Sequence, residues 1–135
     1  HEVVESVLNL KYKNIELVLI DDGSTDKTLL MMKSFQSMYN YRLNVKVVPI
    51  VMNGGKANAL NQGLHYASGK FLLCLDSDSY IDEDALSNMM PYFQDEKVGA
   101  VAGRPVVRNR TTLLVGWSYW NILVLSTLLS VGKHL

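Results

Sequence analysis

Apolar positions recur along this 135-residue chain at two different periods, and the alternation between them sets an order of elements. Val3, Val4, Val7 and Leu8 fall at helical spacing, with neither an initiator methionine nor a signal-peptide pattern ahead of them, so the chain reads as beginning inside a helix. Ile15 to Ile20, IELVLI, is a short β-rich run stopped by DDGS, and helical spacing resumes at Met31, Phe35 and Met38. Leu43, Val45 and Val47 alternate with Asn44 and Lys46 ahead of Pro49, which predicts a second strand with one less buried face. After Gly54 and Gly55, the stripe Ala57, Leu60, Leu64 and Ala67 predicts an amphipathic helix closed by Ser68 and Gly69. FLLCL, residues 71 to 75, then reads as a fully buried strand with Cys74 as a small buried hydrophobe. Asp82 suits an N-cap, Glu83 and Asp84 suit the positive end of a helix dipole, and Ala85, Met89 and Phe93 continue one helical face. Val98 to Ala102 is a fourth apolar stretch.

Strands alternating with helices of about a dozen residues indicate βα units, hence an α/β domain with a mostly parallel sheet and helices on both faces. The length fits one domain with a real core, and no internal repeat or linker interrupts it. With 13 basic and 13 acidic residues the net charge is zero, so no global field argues for nucleic acid, and any charge chemistry is local. One cysteine excludes a disulfide framework and a cysteine metal site, and a reducing cytoplasm is the default compartment. The methionines Met31, Met32, Met89 and Met90 read as core filler, and His65 and Tyr66 as surface residues.

In open parallel sheets ligands sit beyond the carboxyl ends of the strands, where Asp21 and Asp22 follow IELVLI and Asp76 and Asp78 follow FLLCL. On an extended chain Asp76 and Asp78 address one side while Ser77 faces away. Two carboxylates there repel unless a hard cation lies between them, and Mg²⁺ or Mn²⁺ typically takes one or two protein carboxylates plus substrate phosphates. The competing reading is turn and capping chemistry, which certainly claims part of DDGSTD: Gly23 for a tight turn, Ser24, Thr25 or Asp26 as a cap. Paired aspartates after a strand also fit a receiver-like signalling module. In NGGKANALNQG, residues 53 to 63, two glycines, a helix start and Lys56 suit a diphosphate, although the spacing is not that of a Walker loop.

DDGSTD, GGKANALNQG and DSD in this order resemble the family 2 inverting glycosyltransferases of GT-A fold, with the likeness extending over nearly the whole chain. GAVAGRPVVRN, residues 99 to 109, is similar to stretches in the processive synthases of poly-N-acetylglucosamine and hyaluronan. The resemblance implies that Asp22, with Asp21 beside it, contacts the uracil end of a UDP-sugar and that Lys56 lies near the base or phosphates. It implies that Asp76 faces the ribose or the metal and sugar region, and that Asp78 holds Mg²⁺ or Mn²⁺ on the diphosphate. It further implies a glycan or lipid-linked acceptor, no nucleic acid, and a full-length protein at the cell membrane with its catalytic domain on the cytoplasmic face. The alternatives are a non-processive family member decorating a lipid or surface glycan, and the non-catalytic receiver-like or nucleotide-binding module.

Against the family pattern, residues 1–135 read as a partial donor-binding domain, truncated at both ends, with a first central strand and the acceptor half absent. The catalytic base is expected beyond residue 135, and the isolated piece is expected to be inactive. From Thr111 to Gly132 no residue is charged, and Leu113 to Val131 reads as a buried or interfacial helix in preference to a membrane span. Trp117, Tyr119 and Trp120 suit an interface, and Arg104, Arg108 and Arg110 suit either a solvated loop or a place near phosphate or lipid headgroups.

Overall fold

The fold is given by a computed structural model that describes residues 2–104, Val106 and, as backbone, residues 126–131. In chain order the elements are α1 (Glu2–Leu8), β1 (Ile15–Asp22), α2 (Thr28–Tyr39), β2 (Asn44–Ile50), α3 (Gly55–Tyr66), β3 (Phe71–Asp76), α4 (Ala85–Met89) with a 3-10 turn Met90–Gln94, and β4 (Ser126–Val131). The strands form one sheet in the order β2-β1-β4-β3. β1 and β2 pair in parallel, and β4 pairs antiparallel with both β1 and β3, so β1, β2 and β3 all run the same way. Through β4, Leu19 of β1 and Leu75 of β3 both stand level with Thr127, so the carboxyl ends of these strands share one rim.

β1 is apolar on both faces because helices cover both. Leu17 and Leu19 join Val3, Val4 and Val7 of α1, Phe35 of α2, and Leu86 and Met90 on one side. Val18 and Ile20 meet Val48 and Ala59 of α3 on the other. Leu10, Leu17 and Val18 have no exposure at all, and each such side chain contributes roughly 1.5–3 kcal/mol of burial. β2 lies at the edge of the sheet, the place where Pro49 removes no ladder bond that matters.

Several sequence expectations are corrected. α3 turns Ala59 and Gly63 to the sheet with Leu60 and Ala67 of the expected stripe packed beside them, and leaves Ala57 and Leu64 exposed, Leu64 at 43%: the small side chains let helix and strand approach closely. β3 is not buried on both faces. Phe71, Leu73 and Leu75 pack into the core, while Leu72 and Cys74 are exposed, because α3 packs on β1, β4 and β2 and not on the body of β3. Met31 is exposed and Met90 buried, with Met32 packed at the margin of the core, so the methionines are only partly filler. The helix after Asp82 is short, because Pro91 lacks an amide hydrogen and the backbone tightens into the 3-10 turn. Residues 98 to 102 are irregular. Of the tail read as a helix, residues 126–131 are a strand, since the ladder groups of β1 and β3 facing each other require an extended partner. Trp117, Tyr119, Trp120, Arg108 and Arg110 lie outside the described residues.

Candidate functional site

The rim is assembled from three loops, and the first link is Asp22. Because β1 continues through Asp22, side chains alternate to the last residue: Asp22 shares the α3 side with Val18 and Ile20, and Asp21 the opposite side with Leu17 and Leu19. The Asp22 carboxylate therefore reaches the start of α3, where Oδ1 accepts the Gly54 N–H at 3.0 Å and Oδ2 the Gly55 N–H at 2.8 Å. Asn53 Oδ1 also accepts from Gly55, at 3.2 Å. The amides read from sequence as a diphosphate cradle thus already hold an anion, one belonging to the chain. An acceptor at a helix start is favoured by its free N–H groups and its positive dipole end.

Glycine is required at two points of this junction. Gly23 has φ +74°, and a Cβ there would stand 2.8 Å from the Asn53 backbone nitrogen, so the β1–α2 loop lies directly against the β2–α3 loop. Gly55 has φ +78°, which aims its N–H at Asp22. In the same β1–α2 loop Asp26 accepts the Thr28 N–H at 2.8 Å at the start of α2. Its carboxyl is held below the usual carboxylate range, by hydrogen bonding to the Thr28 side chain first and then to the Thr28 backbone.

One residue after the Asp22 contact, Lys56 projects from the first turn of α3 and its Nζ pairs with Asp76 Oδ1 at 2.9 Å, at the end of β3. Asp22, Lys56 and Asp76 are therefore joined in one run of contacts along the rim. The other two expected residues are not part of it. Asp21 is 3% exposed on the far face, and its Oδ1 has no partner among the described residues. Asp78 does not continue an extended chain: β3 stops at Asp76, a turn follows in which Ser79 N–H donates to the Asp76 carbonyl at 3.0 Å, and Asp78 is an exposed residue of that turn. Among the described residues no group of three or more His, Cys, Asp or Glu side chains gathers to hold a metal. Of the DSD stretch only Asp76 lies on this run of contacts, and its carboxylate is already neutralised by the Lys56 ammonium.

Glu16 was not singled out by sequence reasoning, though a carboxylate inside IELVLI is itself a signal, since charges are buried only with partners. It is 6% exposed, pairs with Lys46 at 2.8 Å, and accepts from the Ser68 N–H and hydroxyl, tying the end of α3 to β1. At the far end of β1 a cavity of about 190 Å³, lined by Val7, Leu10, Lys13, Arg42 and Leu43 among others, is remote from the rim. The rim itself is open, with residues 51 to 57 exposed.

A mixed sheet in which β1, β2 and β3 run the same way, covered by helices on both faces and with loops from these three strands meeting at their carboxyl ends, defines an α/β domain of the kind that takes ligands at that rim. The chain belongs to the family described as Glycosyl transferase family 2, which it matches over residues 1–132. It is 40% identical over 114 residues to a poly-beta-1,6-N-acetyl-D-glucosamine synthase of Staphylococcus epidermidis, covering 84% of this chain and 27% of the relative. The corresponding synthase of Staphylococcus aureus is 39% identical over 114 residues, with the same two coverages of 84% and 27%. The chain therefore spans about 27% of the length of these relatives. Among solved structures, residues 1–349 of TarS from S. aureus match with a TM-score of 0.60 at 25% identity over 93% of this chain and 41% of that one. The same protein in complex with UDP matches with a TM-score of 0.59 at 22% identity, over 93% of this chain and 41% of that chain. The GT-A fold expected from the motifs is the fold of this chain. The receiver-like reading gains nothing from these matches. No helix among the described residues is long and apolar enough to cross a membrane.

Proposed function

We propose that residues 1–135 form the donor-binding part of a β-glycosyltransferase that takes a UDP-sugar, UDP-N-acetylglucosamine or a close relative, for polysaccharide synthesis at the cytoplasmic face of a cell membrane. The observation that carries this reading is the run of contacts along the rim, from Asp22 through the start of α3 to Lys56 and Asp76. It gathers residues of all three motifs at the strand ends, where open α/β sheets take their ligands. The 40% identity to a poly-N-acetylglucosamine synthase supports the donor sugar and a glycan acceptor.

In this reading Asp22 and Asp21 serve the nucleotide end of the site. Asp22 does so through the loop whose amides it holds, and Asp21 through its buried Oδ1, which has no partner among the described residues. Lys56 and Asp76 face the diphosphate, and Asp76 with Asp78 would hold Mg²⁺ or Mn²⁺. Such a cation, when bound, neutralises charge developing on the diphosphate leaving group. Lys56 adds a positive charge beside the same oxygens, and the open rim leaves the sugar facing whatever supplies the acceptor and the base. No catalytic base is assigned among these residues.

Calorimetric titration with UDP, GDP and ADP, with and without Mn²⁺, tests this. UDP should bind tightest, Mn²⁺ should strengthen it, and Asp78→Ala should abolish the metal increment. Equal affinity for the three nucleotides would end the donor assignment, and an undiminished increment in Asp78→Ala would remove that residue from metal binding.

A further inference from the structure

α2 is held to the fold by one side only. Met32, Phe35 and Tyr39 pack into the core, with the Phe35 and Tyr39 rings stacked at 6.2 Å, and Gln36 Nε2 donates to the Val45 carbonyl at 2.8 Å. Helical spacing puts Leu30, Ser34 and Met38 on the opposite side, with Met31 beside them and Tyr41 just past the helix end. Leu30, Met31, Met38 and Tyr41 are 65%, 47%, 57% and 81% exposed, so this side of the helix is an apolar stripe in water. A shallow depression along it is lined by Leu30, Lys33, Ser34, Ser37 and Met38. A contiguous exposed apolar surface marks a place of interaction, and the charge around it selects the partner. From Lys27 to Arg42 the chain has no acidic residue. Lys27, Lys33 and Arg42 are all exposed, and none forms an ion pair among the described residues.

We propose that the outward face of α2 rests on an anionic lipid bilayer, with Leu30, Met31 and Met38 entering the headgroup boundary and Lys27, Lys33 and Arg42 meeting lipid phosphates. An apolar helix face with a cationic margin partitions there through both contributions, burial and charge. A second copy of the same face is a poor partner, because pairing brings cations against cations with no acid between them. The proposal rests on the reading that places the protein at a membrane, and adds to it the surface that meets the bilayer. The contact also fixes an orientation. Phe35 of α2 packs on the side of Leu17 and Leu19, and Ala59 of α3 on the side of Val18 and Ile20, so docking through α2 turns α3 to the water.

The test is flotation of the full chain with vesicles of phosphatidylglycerol and phosphatidylcholine in equal parts, and with phosphatidylcholine alone. The unaltered protein should float with the mixed vesicles and bind them less as salt is raised. Leu30→Ser combined with Met38→Ser should bind about tenfold more weakly while keeping its affinity for UDP. Lys27→Gln and Lys33→Gln should each bind about fivefold more weakly. An environment-sensitive fluorophore locates the contact: on Ser37→Cys, in a Cys74→Ser background, its emission should shift to the blue and be quenched by spin-labelled lipid. The same label on Gln62→Cys of α3 should not respond. Undiminished flotation of the Leu30→Ser, Met38→Ser protein or of both lysine variants, or a label that responds at position 62 and not at 37, would overturn the proposal. A dimer that the double substitution disperses in sedimentation would also overturn it, giving the face to a second copy. A protein that binds UDP and ignores both vesicles sinks the docking and spares the donor reading; one that floats through α2 and ignores UDP does the reverse.

Discussion

Replacing Asp22 by Asn removes half of a two-point contact while leaving its shape. The native carboxylate accepts from Gly54 at 3.0 Å and Gly55 at 2.8 Å. An asparagine offers one oxygen, and turns an NH₂ group toward the second N–H, so one amide loses its partner and the negative charge at the helix start is lost too. A charge-assisted hydrogen bond contributes roughly 1.5–3 kcal/mol in a protected setting, and helix-start acceptors about 0.5–2 kcal/mol at accessible ones. Asp22 is half-buried and its amide partners are exposed, so the lower range applies and the expected loss is about 1–2 kcal/mol. For a chain of this size that corresponds to a melting temperature lower by roughly 5 °C. Thermal unfolding followed by circular dichroism measures the sum, and amide hydrogen exchange locates it. Gly54 and Gly55 should exchange faster in Asp22→Asn while the amides of β1 and β2 remain as protected as before. Unaltered exchange at both glycines, with a stability change under about 0.3 kcal/mol, would show that the carboxylate does not hold this loop.

Three further outcomes follow from the same structure. Gly23→Ala places a Cβ against the Asn53 backbone nitrogen at 2.8 Å in a left-handed conformation, and should cost about 1–3 kcal/mol in urea unfolding. Glu16→Ala strips the buried partner from Lys46 and from Ser68, and should cost about 2–4 kcal/mol, and Lys46→Ala should also destabilise in urea unfolding, because it leaves the buried Glu16 carboxylate without its counter-ion. Asp26 has a folded pKa below its ordinary 3.8, so the stabilisation it gives α2 is complete above that value and is lost as pH falls through the lower folded one. An NMR titration of the Thr28 amide should follow that loss, and Asp26→Asn should abolish the dependence.

The order of elements was legible because each depended on a period and its punctuation. IELVLI ended by DDGS, and NGGK opening a helix, needed nothing from outside their own segments. What could not be read was which neighbour covers each face. Cys74 and Leu72 look buried in a run of five apolar residues, yet α3 packs on β1, β4 and β2 and touches β3 at its Asp76 end through Lys56, and only the tertiary arrangement says so. The rotation of α3 was hidden for the same reason: Ala59 and Gly63 outrank Leu64 at the sheet because close approach favours small side chains, which a hydrophobic stripe does not record. The strand at Ser126–Val131 answers to the ladders of β1 and β3, not to its own sequence.

At the rim one rule, alternation along an extended chain, holds as far as the strands run. Applied to Asp76 and Asp78 it needs a strand that runs on, whereas β3 ends at Asp76 and the chain turns. The same rule operates undisturbed in DDGS, where β1 runs on through Asp22 and therefore sends Asp21 and Asp22 to opposite faces. Thus Asp22, not the pair, reaches the α3 loop, and Asp21 is buried on the side of α1 and α2. The last paired residue of each strand decides where alternation stops, and that residue is fixed by its neighbours: β2 pairs with β1 as far as Asp22, and β4 pairs with β3 only as far as Asp76. The reach of the pairing partner sets the geometry of the acidic rim, so changes to the partner strands should redirect these carboxylates as surely as changes to the aspartates themselves.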